Sequence, residues 1–183
     1  MTTSMRDPYW LSFLPGVEAG YAPWLRDHGS LTRRIQQRCD KFGVRNVCDC
    51  LMTAAHDETA LLDQPPQQKI YTREVFLLAN DRPVVFAHSV VATQHLRDAW
   101  QALQHLGNRP LAALLFAHPL VQRAPLHYRS LTAGHPLYRR AAVTLDAPPR
   151  KLWARRSLFS LHDAPLLVTE VFLPGILLLP NPA

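Results

Sequence analysis

The sequence has 183 residues, of which 48% are hydrophobic and 19% charged. This length and composition fit one domain with its own core and exclude a disordered chain, so we expect residues 1–183 to form a single domain. No hydrophobic run approaches the roughly 20 residues that a transmembrane helix needs. Asp7 and Pro8 interrupt the stretch that a signal peptide would require to be apolar. We therefore expect a soluble, cytoplasmic protein without a membrane partner.

The net charge of +6 arises in the second half of the chain. Residues 1–92 contain ten basic and ten acidic side chains, whereas residues 93–183 contain ten basic and four acidic ones. Such a surplus permits binding to nucleic acid and equally to an anionic small molecule. The densest basic stretch, residues 139–156, is interleaved with aromatic side chains but contains no helix-turn-helix pattern. We expect a solvated face there and no nucleic-acid partner, with a basic nucleic-acid-binding module as an alternative.

The sequence motifs predict neither a metal site nor a bound cofactor. The three cysteines, Cys39, Cys48 and Cys50, cluster without a second ligand pair at zinc spacing. We expect them to be free thiols in a reducing compartment. No phosphate-binding glycine-rich loop, HExxH motif or serine-hydrolase turn occurs in the sequence.

The first half of the chain predicts one helix and three strands. Ser30 is a favourable N-cap, and Gly43 a favourable end, for a helix over residues 31–42. The strongest local pattern is a β-hairpin, because two β-rich runs flank a short polar turn. After the helix, the predicted elements are a strand at 44–53, a polar loop at 56–68, and the hairpin strands at 70–78 and 84–91.

The second half predicts two helices followed by a second hairpin. Thr93 begins a helix whose apolar residues recur at helical spacing up to Gly107. The later elements are a short helix at 110–116, an extended segment at 125–131, and hairpin strands at 152–161 and 166–173. Hairpins combined with a few helices indicate an α+β fold with a single, mostly antiparallel sheet.

Strand alternation places a charged residue on three otherwise apolar faces. The charged residues are Arg73, Arg155 and Glu170, and each lies on a face that is otherwise largely apolar. Burying an ionised group is costly unless it is paired, so these residues either form structural ion pairs or line a ligand site. Glu74 and Arg156 point the other way, and we interpret them as surface residues.

Five segments, in this order along the chain, resemble the chorismate pyruvate-lyase family. They are residues 29–33 (GSLTR), 72–77 (TREVFL), 106–111 (LGNRPL, followed by Leu115 and Phe116), 152–157 (LWARRS) and 167–174 (LVTEVFLP). The resemblance covers about residues 24–174. The chain departs from the family pattern at residues 132–149, which form an insertion or long loop, and at Leu31, where a methionine can occur.

The resemblance implies a fold, an activity and a set of partners. The implied fold is a single antiparallel sheet with helices on one side and helical flaps over an enclosed ligand pocket. The implied activity is elimination of pyruvate from chorismate, which gives 4-hydroxybenzoate for ubiquinone biosynthesis. A monomer without a cofactor is implied as well.

The family's ligand contacts carry over to Leu31, Arg73, Leu111 and Glu170. Arg73 is expected to bind the ring carboxylate of chorismate by bidentate hydrogen bonding, with help from the backbone N–H groups of Leu31 and Leu111. Glu170 is expected near the 4-hydroxyl, as a general acid or base or only as an orienting group, and transfer of the C4 hydrogen within the substrate stays open. Arg155 is a candidate for binding the enolpyruvyl carboxylate or for a salt bridge to Glu170.

An alternative function is a non-catalytic sensor of aromatic carboxylates, because effector domains of some transcriptional regulators resemble this fold. Such a sensor is normally joined to a DNA-binding domain. The segment before residue 24 is too short to contain one, which favours the lyase.

Overall fold

One antiparallel sheet organises the chain. The computed structural model describes residues 9–180, so Asp7 and Pro8 lie outside the described residues. The strand order is β1-β2-β3-β7-β6-β4, and β5 pairs with β6 beside β4. The strands are β1 (Phe42–Thr53), β2 (Lys69–Ala79), β3 (Arg82–Val91), β4 (Gln122–Arg123), β5 (His127–Leu131), β6 (Leu152–Leu161) and β7 (Ala164–Phe172).

Short helices connect and cover these strands. The α-helices are α1 (Ala22–Arg26), α2 (Leu31–Gln36), α3 (His56–Thr59), α4 (Ala112–Ala117) and α5 (Pro136–Ala142). Three 3₁₀ helices span Thr93–Leu96, Gln101–His105 and Pro174–Leu178. Within residues 9–180, no helix has the length and hydrophobicity needed to cross a membrane.

The α+β fold with one antiparallel sheet is confirmed, and both predicted hairpins are present as β2–β3 and β6–β7. The helix predicted over residues 31–42 is shorter. Ser30 caps it as expected, because its hydroxyl accepts a hydrogen bond from the N–H of Arg33 at 3.3 Å. The helix ends at Gln36, and Phe42 already belongs to β1, where it pairs with Ala79.

The helix predicted to begin at Thr93 is instead two 3₁₀ turns. Its larger apolar residues are nevertheless buried as the spacing indicated, and Trp100 is completely inaccessible. The Trp100 indole N–H donates to the backbone oxygen of Ala164 at 3.0 Å, which ties this segment to the turn of the second hairpin. Gly107 follows with a positive φ of 52°, a backbone conformation that favours glycine.

The two faces of the sheet carry different side chains, which the strand register aligns in rows. On the front face, Arg73, Ser89, Val168 and Ser157 oppose one another across β2, β3, β7 and β6. The helices α1, α2 and α4 and the first two 3₁₀ helices cover this face. On the back face, the corresponding row runs through the neighbouring residues: Glu74, His88, Thr169 and Arg156.

The expectation of helices on one side of the sheet needs a correction. The segment 132–149 is not merely a loop, since it contains α5, whose Leu137, Tyr138 and Ala141 pack against back-face residues such as Phe86. α3 lies on the same side, where its Glu58 contacts the back face at His88. Helices therefore cover both faces.

Glu74 and Arg156, expected at the surface, are only 4% and 6% exposed. The reason is that α3 and α5 cover the back face and bring side chains of opposite charge. The guanidinium of Arg156 pairs with Asp57, while Glu74 takes part in a larger network.

The expectation of free thiols is wrong for two of the three cysteines. Cys48 and Cys50 form a disulfide on β1, while Cys39 is free. Residues two apart on a strand project to the same side, and the Cα–Cα distance of 5.6 Å is ordinary for a disulfide.

A buried charge network joins the back face to α3 and α5. The two ring nitrogens of His88 lie 2.8 Å from Oε1 of Glu58 and 2.8 Å from Oε1 of Glu74. Arg140 of α5 donates to the same Glu74 oxygen at 2.8 Å. Each charge in the network thus has an opposite charge within hydrogen-bonding distance, which offsets the cost of burying it.

The network shifts the pKa values of its members. Burial by itself would lower the pKa of His88, but the hydrogen bonds and negative charges of Glu58 and Glu74 outweigh it and raise that pKa from 6.5 to about 9. Burial would raise the pKa of both carboxyl groups, yet hydrogen bonding to His88 and its charge lower them below 4.5. All three groups are therefore charged near neutral pH.

These shifts predict how the free energy of unfolding depends on pH. The His88 contribution is complete below about pH 6.5 and declines as the pH rises through 9. The Glu58 and Glu74 contributions are complete above pH 4.5 and decline as the pH falls through their lowered folded pKa values. The stabilisation by the network is thus greatest between about pH 4.5 and 6.5.

Urea unfolding between pH 6.5 and 9.5 tests this prediction. The native protein should lose on the order of 1–3 kcal/mol of unfolding free energy across this range, and His88→Gln should lose much less. His105→Gln, which changes an exposed histidine, serves as the control and should follow the native protein. A parallel decline in all three proteins would contradict the assigned role of His88.

Candidate functional site

A pocket lies between the front face and its covering helices. Its floor includes Arg73, Ser89, Val168 and Glu170, and its walls include Leu31 of α2 and Leu111, which precedes α4. The structure thus brings Leu31, Arg73, Leu111 and Glu170 together, although they are distant in sequence.

Arg73 is almost fully buried, with a relative exposure of 2%. Its Nη1 donates to both carboxylate oxygens of Asp49, at 3.0 and 3.1 Å. Its Nη2 donates to the backbone oxygens of Gly107 at 2.7 Å and of Arg109 at 3.0 Å. Arg73 therefore has both of the roles that strand alternation left open, because it forms a structural ion pair and also lines the pocket.

Asp49 was not predicted as a partner of Arg73. It lies on the edge strand β1 directly opposite Arg73 and also accepts hydrogen bonds from Tyr71, at 3.0 Å, and from the side chain of Asn46. Burial, the hydrogen bond to Asp49 and the charge of that carboxylate raise the pKa of Tyr71 to about 12. The sequence offers little signal for this contact, because register across an edge strand decides it.

Arg155 forms an ion pair with Glu170. This is one of the two roles expected for Arg155 from the sequence. The Nε of Arg155 donates to Oε2 of Glu170 at 2.6 Å. Arg155 is completely inaccessible and is not among the residues that line the pocket. Its Nη1 donates to the backbone oxygens of Trp24 at 3.0 Å, Leu25 at 3.4 Å and Asp27 at 2.5 Å. Arg155 therefore forms the salt bridge to Glu170 and does not line the pocket.

Arg123 lines the pocket and was missed in the sequence. It lies on the two-residue strand β4, where no alternating pattern exists to show which way a side chain points. Its Nε donates to the Oγ of Ser157 at 3.1 Å, and its Nη1 donates to the backbone oxygen of His28 at 2.6 Å. Its guanidinium carbon lies 5.7 Å from the ring centre of Phe116 and 5.2 Å from that of Phe159.

A larger, open groove runs between α2 and α4 and meets the pocket. Gly29, Thr32, Ala112 and Phe116 line both spaces. Phe116 is 47% exposed, so an aromatic side chain at the boundary faces solvent as well as the pocket. A ligand therefore has a short route to the pocket between the two covering helices.

The pocket combines an apolar lining with a surplus of positive charge. Apolar side chains such as Leu77, Leu115 and Val168 line it, and its charged residues are Arg73, Arg123 and Glu170. Two cations against one carboxylate favour a negatively charged ligand. Within the part of the chain from residue 9 to residue 180, no group of three or more His, Cys, Asp or Glu side chains is placed to hold a metal ion.

The sequence is similar to one known enzyme family along most of its length. The family model described as chorismate lyase matches residues 12–178. A protein of Nitrosomonas europaea named "probable chorismate pyruvate-lyase" is 50% identical over 153 residues, which cover 84% of this chain and 86% of that protein. A protein of the same name from Aromatoleum aromaticum is 46% identical over 171 residues, or 91% of each chain.

Solved structures with a similar fold are more distant in sequence. The effector domain of PhnF from Mycobacterium smegmatis superposes with a TM-score of 0.55 at 14% identity, over 80% of this chain and 90% of that one. The C-terminal domain of the histidine utilization repressor from Pseudomonas syringae has a TM-score of 0.50 at 15% identity, over 74% and 93% of the two chains. At such identities these similarities concern the fold alone.

Removal of the Arg155 side chain should destabilise the protein strongly. Arg155→Ala leaves Glu170 unpaired and frees three backbone oxygens, so we expect a loss of about 3 kcal/mol in the free energy of unfolding. Urea unfolding measures this loss, and Arg150→Ala, which truncates an exposed arginine, is the matched control. Equal stability of the two variants would contradict the structural role of Arg155.

Proposed function

The chain belongs to the chorismate lyase family, and from this premise we propose that it eliminates pyruvate from chorismate to form 4-hydroxybenzoate for ubiquinone biosynthesis. The observation that supports this proposal best is the placement of Leu31, Arg73, Leu111 and Glu170 around one pocket. We further propose that the enzyme acts in the cytoplasm as a monomer without a cofactor, since one chain supplies all four residues.

In this proposal the ring carboxylate of chorismate binds at Arg73. Both terminal nitrogens of Arg73 already donate to Asp49 and to backbone oxygens, whereas its Nε makes no hydrogen bond with the described residues. The Nε–H group therefore supplies the side-chain contact, in place of the bidentate contact through the terminal nitrogens. The backbone N–H groups of Leu31 and Leu111, which also lack partners within residues 9–180, complete the site.

Glu170 binds the other end of the ring in this proposal. Arg73 is on β2 and Glu170 on β7, with β3 between them, so the two strands lie about 10 Å apart. Glu170 is two residues along β7 from Val168, which is in register with Arg73. A six-membered ring with a carboxylate at one end and a hydroxyl at the other fits between the two side chains. Arg155 holds Oε2 of Glu170, which leaves Oε1 to accept a hydrogen bond from the 4-hydroxyl.

The proposed elimination balances without an added reagent. The C3–O bond breaks with its electron pair on the enolpyruvyl oxygen, and C4 loses a proton whose C–H electrons complete the aromatic ring. The methylene carbon of enolpyruvate gains a proton, which gives pyruvate. Aromatisation drives the reaction, and Glu170 orients the hydroxyl on the carbon that loses hydrogen.

Incubation of the purified protein with chorismate tests this function directly. We expect pyruvate and 4-hydroxybenzoate in equal amounts, measured by a coupled dehydrogenase assay and by chromatography. The same test separates the enzyme from the alternative of a sensor domain of the same fold. Binding of 4-hydroxybenzoate without any turnover, at enzyme concentrations close to that of chorismate, would refute the lyase.

Arg73→Gln should weaken binding of the product. Loss of a charge-assisted hydrogen bond costs about 1.5–3 kcal/mol, which corresponds to roughly a 10–100-fold higher Kd for 4-hydroxybenzoate. Isothermal titration calorimetry measures this change, with Arg150→Gln as the matched control. An unchanged Kd in Arg73→Gln would show that the ring carboxylate binds elsewhere.

Glu170→Gln should reduce turnover more than it reduces product binding. The amide keeps the size of the side chain but exchanges one carboxylate oxygen for a donor, so we expect kcat to fall about 100-fold or more. The Kd for 4-hydroxybenzoate should rise by a smaller factor. If kcat stayed within threefold of the native value, Glu170 would not act on the substrate.

A further inference from the structure

Chorismate carries a second carboxylate that Arg73 and Glu170 do not account for. It belongs to the enolpyruvyl group, which is attached at C3, next to the 4-hydroxyl on C4. If the ring carboxylate binds at Arg73, the second carboxylate lies at the Glu170 end of the pocket, displaced to one side of the ring. A cation is required there, because a buried carboxylate without a partner is strongly disfavoured.

Two arginines lie at that end of the sheet. Arg155 is inaccessible, and it directs its Nε to Glu170 and its Nη1 to three backbone oxygens. Its Nη2 is buried and has no partner among the described residues, but Arg155 is not part of the pocket wall. Arg123 is half-buried and does line the pocket.

Arg123 is held in place while one end of its guanidinium stays available. Its Nε is fixed by Ser157, whose hydroxyl donates in turn to the backbone oxygen of Ala124 at 2.6 Å. The rings of Phe116 and Phe159 flank the guanidinium, and its Nη1 donates to the backbone oxygen of His28. The Nη2 makes no hydrogen bond with any residue between 9 and 180 and can donate to a ligand.

The strand order places Arg123 on the correct side of the ring. Glu170 is on β7, Ser157 is on the adjacent β6, and β4 with Arg123 pairs with the far side of β6. Measured across the strands, Arg123 therefore lies farther from Arg73 than Glu170 does. Its side chain reaches back along β6 to Ser157, two residues from the Arg155 that opposes Glu170. That is where a substituent on the carbon next to C4 would extend.

We propose that Arg123 binds the enolpyruvyl carboxylate of chorismate, and that Ser157 positions its guanidinium. The inference rests on the proposed function, because it assigns the second carboxylate of that substrate to a residue. It also gives the pocket a means of distinguishing chorismate from the product, which has only one carboxylate. Arg73 contacts both molecules, whereas Arg123 contacts chorismate alone.

Steady-state kinetics and product binding of Arg123→Gln test the assignment. We expect kcat/KM for chorismate to fall at least tenfold, while the Kd for 4-hydroxybenzoate stays within threefold of the native value. Arg123→Lys should retain more of the kcat/KM than Arg123→Gln, because it keeps the charge. Arg73→Gln provides the contrast, since it should impair both measurements.

A pair of stable ligands tests the same contact without turnover. 3-(Carboxymethoxy)benzoate carries a ring carboxylate and a second carboxylate on a neighbouring ether, and 3-methoxybenzoate lacks the second carboxylate. In the native protein the dicarboxylate should bind more tightly, and Arg123→Gln should remove most of that difference. If the native protein bound these ligands but did not turn over chorismate, the proposed function would fail while the Arg123 contact stood.

Two outcomes would overturn the assignment. Equal losses in chorismate turnover and in 4-hydroxybenzoate binding would show that Arg123 acts only by holding the covering segments at His28 and Phe116. An unchanged kcat/KM in Arg123→Gln would show that the second carboxylate binds elsewhere. Circular dichroism and the urea midpoint of each variant establish that the protein remains folded in these comparisons.

Discussion

The ion pair between Arg155 and Glu170 is the interaction on which the pocket depends. It joins β6 to β7 and fixes one oxygen of the carboxylate that faces the pocket. The same guanidinium binds backbone oxygens from Trp24 to Asp27, and the Asp27 carboxylate pairs with Arg34 of α2 at 2.9 Å. Arg155 therefore fixes the position of Glu170 in the pocket floor and also the position of the segment that leads into α2. The attraction between two buried charges is largely offset by the cost of removing them from water, so this ion pair fixes geometry without adding much net stability.

Arg73 has a corresponding role at the other end of the pocket. It is anchored to the edge strand by Asp49 and binds the backbone oxygens of Gly107 and Arg109, just before α4. Each of the covering helices α2 and α4 is thus connected to the sheet through an arginine of the pocket region. The covering helices and the charged side chains of the pocket floor belong to one hydrogen-bonded network. A change in the position of a covering helix therefore alters the position of the charged side chains.

Strand alternation predicted the central part of this site, because burial on a sheet has a strict period of two. The alternation identifies Arg73, Arg155 and Glu170 from the sequence alone. Arg123 is not predicted as a pocket residue, because a strand of two residues is too short to show alternation. Glu74 and Arg156 were assigned to the surface because their burial depends on α3 and α5, which no local pattern connects to the back face. Sequence patterns therefore do not predict the contacts that depend on how short helices pack against the sheet.

The alternation of charges along β2 also protects the fold against mispairing. Arg73 faces the pocket, and its neighbour Glu74 faces the back-face network, where Arg140 and His88 already balance its charge. A one-residue slip of β2 against its partners would exchange the two faces of that strand. Depending on the direction of the slip, either Glu74 would take the place of Arg73 opposite Asp49, or Arg73 would take the place of Glu74 between His88 and Arg140. Either slip would bring like charges together on one face of the sheet, so the native register is selected electrostatically as well as by hydrophobic burial.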